Sequence, residues 1–381
     1  MRAGFDSRTT STATGRRGRL SWRARVKKNV QLWIGVAAGT LGAVAHAQTT
    51  SNATIYGRIN TSIESQKVTG VERTTVLQNN SSRWGIKGTE DLGGGLRALY
   101  FLESGFNSDT GVMTNNFGQG ASGSLFNRES YAGLSGNFGT IRGGRITSPL
   151  YFASADYVSM HNHDTGTSSD ALFNFFATGV NNNNSITYKT PSFGGADVEV
   201  AYSFAAGFFP TNPAAFVEQP GSANQRNVQV AVNWVGGPLH LGGGYAQMKD
   251  RSGTPEVKDE TTVIRALYEM GPFTVGGYYE RSKFDFGAGG RRSRNNVRLA
   301  GMYTLGQSEF HLNYGIAGDF SGLSNTGANQ ATVAYNYNLS KRTKVYAFYT
   351  QVDQDSNANF YVNGPTGAKF SSLALGLRHN F

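Results

Sequence analysis

Five histidines follow residue 47: His161, His163, His240, His311 and His379. His161-x-His163, with Asp164 beside it, is the one grouping with metal-ligand character. It lacks a third ligand at fixed spacing on a rigid element and lies in a polar stretch, so it reads as a solvated loop. Hydrolytic chemistry needs a nucleophile and a base held at one site. His240 and His311 lie beside turns and His379 falls on the apolar side of its strand, so no such pair is formed. The absence of cysteine removes thiol catalysis and disulfides. Gly93-Gly94-Gly95 has strands on both sides and is a tight turn, not a phosphate cradle, and Asn181 to Asn184 is a polar loop end. Nothing in the sequence calls for a cofactor or a metal. What remains is fixed charge. Arg58 and Arg83 occupy the polar sides of their strands, because Ile55 and Ile59, and Trp84 and Ile86, take the other side. Lys87, Arg265, Arg298 and Arg378 share that inward parity, as do Glu64, Glu103, Glu269 and Glu280.

Those charges are positioned by strands with a strict period of two. In the last one, Leu373, Leu375, Leu377, His379 and Phe381 share a face, and Ser372, Ala374, Gly376 and Arg378 share the other. Val228, Val230, Val232 and Trp234 alternate with Gln229, Ala231 and Asn233. Val333, Tyr335, Tyr337 and Leu339 do the same against Thr332, Ala334, Asn336 and Asn338. Only 343–356 is ambiguous, since Val345, Ala347 and Tyr349 compete with Tyr346 and Phe348 for the apolar face. Sixteen strands are predicted, near 53–65, 82–91, 96–107, 127–136, 139–147, 184–190, 196–204 and 226–235. The second eight lie near 239–250, 260–270, 273–286, 293–305, 308–320, 327–339, 343–356 and 368–381. Seven short turns alternate with eight long connections, at about 66–81, 108–126, 148–183, 205–225, 251–259, 287–292, 321–326 and 357–367. The pattern predicts an all-β, closed antiparallel transmembrane barrel. A mean hydropathy of −0.37 is compatible with a membrane protein of this kind, because only alternate residues meet lipid. Tyr268, Phe273, Tyr337 and Phe381 are candidates for an interfacial aromatic girdle.

The N-terminus points to export. Nine basic residues and one acid in 1–28 precede an apolar stretch from Val30 to Ala45 and an Ala45-His46-Ala47 site, the layout of a signal peptide covering 1–47. Val26-Lys27-Lys28-Asn29 itself looks like a signal start, so translation is expected to begin at Val26, with 1–25 a mis-assigned start. Without 1–47, 26 basic and 24 acidic residues remain of the 35 and 25, and a net charge of +10 falls to +2. The basic balance belongs to the leader and gives no support to nucleic-acid binding.

Several blocks carry a family resemblance. They are Thr54-Ile55-Tyr56-Gly57-Arg58, the run from Ser82-Arg83-Trp84-Gly85-Ile86-Lys87-Gly88 to Leu96, and Leu102-Glu103-Ser104-Gly105-Phe106. Tyr131-Ala132-Gly133-Leu134-Ser135-Gly136-Asn137-Phe138 follows, then Asn184 to Gly195, Leu339-Ser340-Lys341-Arg342-Thr343 and the C-terminal Leu375 to Phe381. In this order, across 48–381, they resemble the general diffusion porins of betaproteobacteria and neisseriae. The resemblance implies a sixteen-stranded homotrimeric channel of the Gram-negative outer membrane, with the third extracellular loop folded inward. It implies contact with outer-membrane lipid and lipopolysaccharide, and Phe381 as the signal to the barrel-assembly machinery.

In that frame Pro149 to Asn183 is the inward loop, with Asp156, Asp164 and Asp170 available to face the wall and Asp156 favoured. Alignment with related porins adds Arg128 to the wall, although parity would then turn Glu129 outward. Arg145 ends the strand feeding the loop, and its orientation is open. The resulting expectation is a passive, non-enzymatic channel for ions and small hydrophilic solutes with a weak preference for anions. The alternatives are a solute-specific porin for phosphate, organic anions or aromatic acids and, from another class, a barrel enzyme or adhesin.

Overall fold

The computed structural model describes residues 51–113, 124–161, 166–173, 177, 179–204, 226–250, 257–360 and 365–381. Among them, seventeen strand segments form one antiparallel ring. The first nine are β1 (Ser51–Val68), β2 (Thr74–Asn79), β3 (Arg83–Gly93), β4 (Leu96–Gly105), β5 (Glu129–Gly136), β6 (Gly139–Thr147), β7 (Asn181–Lys189), β8 (Ala196–Ser203) and β9 (Arg226–Gly236). The rest are β10 (Leu239–Lys249), β11 (Lys258–Met270), β12 (Phe273–Asp285), β13 (Arg291–Leu305), β14 (Ser308–Ala317), β15 (Ala328–Asn338), β16 (Thr343–Gln354) and β17 (Phe370–Asn380). β1 pairs with β17 on one side and with both β2 and β3 on the other. β2 and β3 are therefore two halves of one stave, and the closed barrel has sixteen.

The staves are inverted relative to a soluble protein. Ile55 is 69% exposed and Leu375 68%, whereas Asn60, Glu64, Gln229 and Glu280 are fully buried inside. A closed ring leaves no unpaired sheet edge, so an apolar outside and a polar inside suit a hydrocarbon surround. The ambiguous strand β16 follows the same rule: Val345 and Tyr349 face outward, and Tyr346 and Phe348 are buried inside. Tyr268, Phe273, Tyr337 and Phe381 are all exposed, beside short turns or at the chain end. In the turn between β3 and β4, Gly93, Gly94 and Gly95 all have positive φ, which side chains with a Cβ resist.

One expected long connection, 66–81, is mostly strand. β1 runs on to Val68, and β2 returns against it with Gln66 opposite Thr74 and Thr61 opposite Asn79. The stave breaks at Asn80-Ser81-Ser82, where Ser81 has φ 65°. Asn60 bridges the break: its amide hydrogen meets Ser82 Oγ at 3.0 Å and its Nδ2 donates to the Asn80 carbonyl at 2.9 Å.

Between β6 and β7 lie two short helices, α1 (Pro149–Ala153) and α2 (Ala155–Val158). Ser148 caps α1 by accepting from the Tyr151 amide at 3.1 Å, and Pro149 opens the helix where no donor is needed. Leu150, Tyr151, Ala155 and Val158 pack with Ala246, Val263 and Tyr278 of the barrel in one buried cluster.

Candidate functional site

Inward parity puts Arg58 and Arg83 on adjacent staves as direct cross-strand partners. Arg58 Nε donates to Asn380 Oδ1 at 3.3 Å. Arg128 Nε meets Glu103 Oε1 at 2.6 Å, and its Nη1 reaches Ser81 Oγ at 3.3 Å. Tyr56 donates its hydroxyl to the other Glu103 oxygen at 3.0 Å. One carboxylate, on β4, thus sits among several cations on the β1–β5 wall. Glu129 does not turn outward as parity with Arg128 implied. Arg128 precedes the first residue of β5, so strand alternation does not bind it, and Glu129 stands opposite Glu103 in register. Glu129 accepts the Thr147 amide hydrogen at 2.9 Å.

The other predicted charges divide into two groups. Lys87 is exposed, its ammonium 5.0 Å from the Tyr56 ring centroid, and Arg378 is half-buried beside Asn380. Arg145 sits at the register shift in β6, and its guanidinium holds the Asn127 carbonyl and the Asn183 side chain. Arg265 and Arg298 are buried instead of open, because Ala153, Tyr157 and Asp170 lie against them. Arg265 Nε donates to the Ala153 carbonyl at 3.0 Å, and its guanidinium lies 3.6 Å from the Tyr157 ring centroid. Arg298 pairs with Asp170 at 3.0 Å.

Asp170 is saturated. It also receives the Tyr278 hydroxyl at 2.5 Å and the amides of Leu172 and Phe173 at 3.0 and 3.2 Å. Asp156, in the first turn of α2, is half-exposed, and Asp164 lies outside the described residues. Further contacts fix the segment around the wall. Ser148 Oγ donates to Gln229, Asn296 to the Leu172 carbonyl, Gln330 to the Ser169 carbonyl, and Thr167 to Glu64.

His161 departs from the solvated loop expected of it. It is 3% exposed, with its ring centroid 5.2 Å from His311 and edge-on to Tyr346 and Phe348. Burial, then the proximity of His311 and Lys344, push its imidazole well below the ordinary range. His163 lies outside the described residues, and no group of three or more His, Cys, Asp or Glu among the described residues could hold a metal.

At the C-terminus, Phe381 and Gly57 exchange two backbone hydrogen bonds of 3.0 Å, closing the ring after β17. The Phe381 ring fills the place a Gly57 side chain would take, since a Cβ there would lie 2.3 Å from Phe381 Cζ.

The sequence matches the Gram-negative porin family over residues 35–357. The chain belongs to that family. Outer membrane porin protein 32 of Delftia acidovorans is 29% identical over 91% of this porin and 99% of its own length. Major outer membrane protein P.IB of Neisseria meningitidis serogroup B is 26% identical over 87% of this chain and 95% of its own. Among solved structures, the anion-selective porin from Comamonas acidovorans superposes with a TM-score of 0.73. It is 28% identical, and the match covers 87% of this chain and all of the other. The trimer form of OmpT from Vibrio cholerae shares the fold at a TM-score of 0.59 and 17% identity, over 87% and 99% of the two chains. This porin is therefore a passive outer-membrane channel crossed by β-strands, and not an enzyme.

Sequence reasoning gave no role to several residues of the porin's interior. Arg142 is paired with Glu199 and lies over the Tyr131 ring. Glu64 collects hydroxyls from Ser62, Ser372 and Thr167. Inward parity was readable for Glu64, but which loop residue would meet it was not.

Proposed function

We propose that this porin passes small anions in mild preference to cations, through a lumen narrowed by the 148–180 segment opposite the β1–β5 wall. The observation that carries the reading is the cross-strand pair Arg58–Arg83, with Arg128 beside it and Lys87 four residues along β3. Glu103 is paired with Arg128 and stands opposite Glu129 in register, so the excess of positive charge is small. On the segment, Asp170 is neutralised by Arg298, and Asp156, in the first turn of α2, is the other acid among its described residues. A narrow, water-filled gap with poorly polarisable walls focuses such charge. The similarity to a porin described as anion-selective supports the same sign here. The test is the reversal potential of single channels across a salt gradient. An anion-directed potential that grows as salt is lowered is the expected result, and a cation-directed one contradicts the reading.

Assembly as a homotrimer and residence among lipid and lipopolysaccharide belong to the same proposal, as does recognition of Phe381 by the assembly machinery. The outer face at β1, β16 and β17 carries a shallow apolar depression with a small residue at Ala347, suited to close packing. A heat-sensitive trimer in mild detergent is expected, and a constant monomer mass contradicts it. Cleavage after Ala47 would leave Gln48 as the first residue of the mature chain, which N-terminal sequencing of outer-membrane protein reads directly.

A further inference from the structure

Most inward positions of the barrel are small or polar, and a row on β3, β4 and β5 is one of the exceptions. Lys87 on β3, Phe101 on β4 and Tyr131 on β5 are register partners across three staves. The Phe101 and Tyr131 rings are stacked, 5.4 Å apart at 7°. Tyr56 leans in from β1 to within 5.5 Å of Phe101. It does so over Gly85, where a Cβ would come within 2.6 Å of the Tyr56 hydroxyl. The result is a ledge of three half-buried rings along the inner wall. One end carries the exposed Lys87 ammonium and the other the Arg142 guanidinium, 5.2 Å from the Tyr131 centroid.

The charges around the ledge are unequal. Arg142 is already paired with Glu199, and Glu103 is held by Arg128 and the Tyr56 hydroxyl. Glu129 accepts the Thr147 amide. Among the described residues, Lys87 has no ion pair. A phenylalanine facing a polar lumen loses apolar contact on its open side, and a cation beside it offers a matching anchor for a planar anion.

We propose that this ledge is a transit subsite for aromatic monocarboxylates, with the solute ring on Phe101 and Tyr131 and its carboxylate at Lys87. The inference rests on the lumen being a conducting pathway, but not on the selectivity assigned to Arg58 and Arg83. Benzoate and acetate carry the same charge and differ by the ring, so they isolate the ledge. In single-channel recordings in potassium chloride, benzoate is expected to reduce the current saturably. Its half-effect concentration should lie about fivefold below that of acetate, the increment one stacked ring supplies. Phe101→Ala and Lys87→Gln should each bring the benzoate value up to that of acetate. Lys87 is exposed, so its variant tests the site even where the ring variant fails to fold. Saturation-transfer NMR of benzoate on the detergent-solubilised protein reads binding independently of current. A protein that binds benzoate through Phe101 but does not conduct would sustain the ledge and count against the channel reading. Equal effects of benzoate and acetate on the native protein would overturn the ledge, as would a benzoate advantage that survives both substitutions.

Discussion

Arg58 and Arg83 face each other directly across the β1–β3 ladder, two like charges at one register position. Such a pair opposes folding by roughly 0.2–1 kcal/mol in a sheet. Nearby, Glu103 draws Arg128 and feels Arg83, which offsets part of that repulsion. The arrangement is a poor choice for stability and a good one for holding positive potential at a fixed height in a lumen. Removing one member should therefore leave the barrel as stable as before or slightly more so.

The ion pair between Arg298 and Asp170 should control how firmly the 148–180 segment is held. Both side chains are buried, and taking away one partner of a buried pair typically costs about 3–5 kcal/mol. Arg298→Ala should loosen the segment, so that single channels become noisier and their mean conductance rises. The joint replacement Asp170→Leu with Arg298→Met removes both charges and should return the recordings most of the way to the native trace. Native conductance and noise in Arg298→Ala would show that this pair does not restrain the segment.

Acidification should act on the same segment through His161. Its folded-state pKa is depressed by burial, then by His311 and Lys344, while Glu309 and Asn336 oppose the shift. A depressed imidazole favours the docked state fully above its ordinary value of about 6.5, and that contribution is lost as pH falls below it. Open-channel noise should accordingly increase between pH 7 and pH 5. His161→Phe keeps the packing against Tyr346 and Phe348 and should flatten the profile. An unchanged profile in that variant would assign the pH response to another group.

Barrel closure should be sensitive to Gly57. A Cβ at this position meets the Phe381 ring at 2.3 Å and the Arg83 carbonyl oxygen at 2.8 Å. Overpacking of this kind typically costs about 1–3 kcal/mol. Gly57→Ala should refold in detergent more slowly and resist heat less, as read by the heat-dependent shift in gel mobility. Adding Phe381→Ala should relieve the clash with the ring but not the one with the carbonyl, giving partial rescue. Native heat resistance in Gly57→Ala would mean that the closing strand adjusts freely.

Strand identity was legible because lipid contact writes a period of two into each stave, with glycine-rich turns between them. The signal stops where the stave leaves the apolar surround. In β1 beyond Glu64, Gln66 is half-buried and Lys67 exposed, so both faces are polar and the extension to Val68 left no alternation to read. Arg265 and Arg298 share inward parity, but that parity carried no information on what would lie over them. That depended on α1, Tyr157 and Asp170, whose docking follows three-dimensional packing and not a repeat. Arg128 shows the opposite limit, since a residue just before a strand is not bound by its alternation. His161 was misread because a polar neighbourhood in sequence became, in the fold, an aromatic one built from distant strands.

The β1–β5 arginines are proposed to set the sign of the channel's preference. Over ~10 Å at 0.1 M salt and ~30 Å at 0.01 M, the reach of these charges grows as salt is diluted. The most direct measurement is the zero-current potential across a tenfold potassium chloride gradient at low salt. It compares the native porin with a variant carrying Arg58→Gln, Arg83→Gln and Arg128→Gln. The native channel should show an anion-directed potential, and the variant should move toward cations while still opening as a barrel of similar conductance. An anion-directed potential of native size in the triple variant would contradict the account.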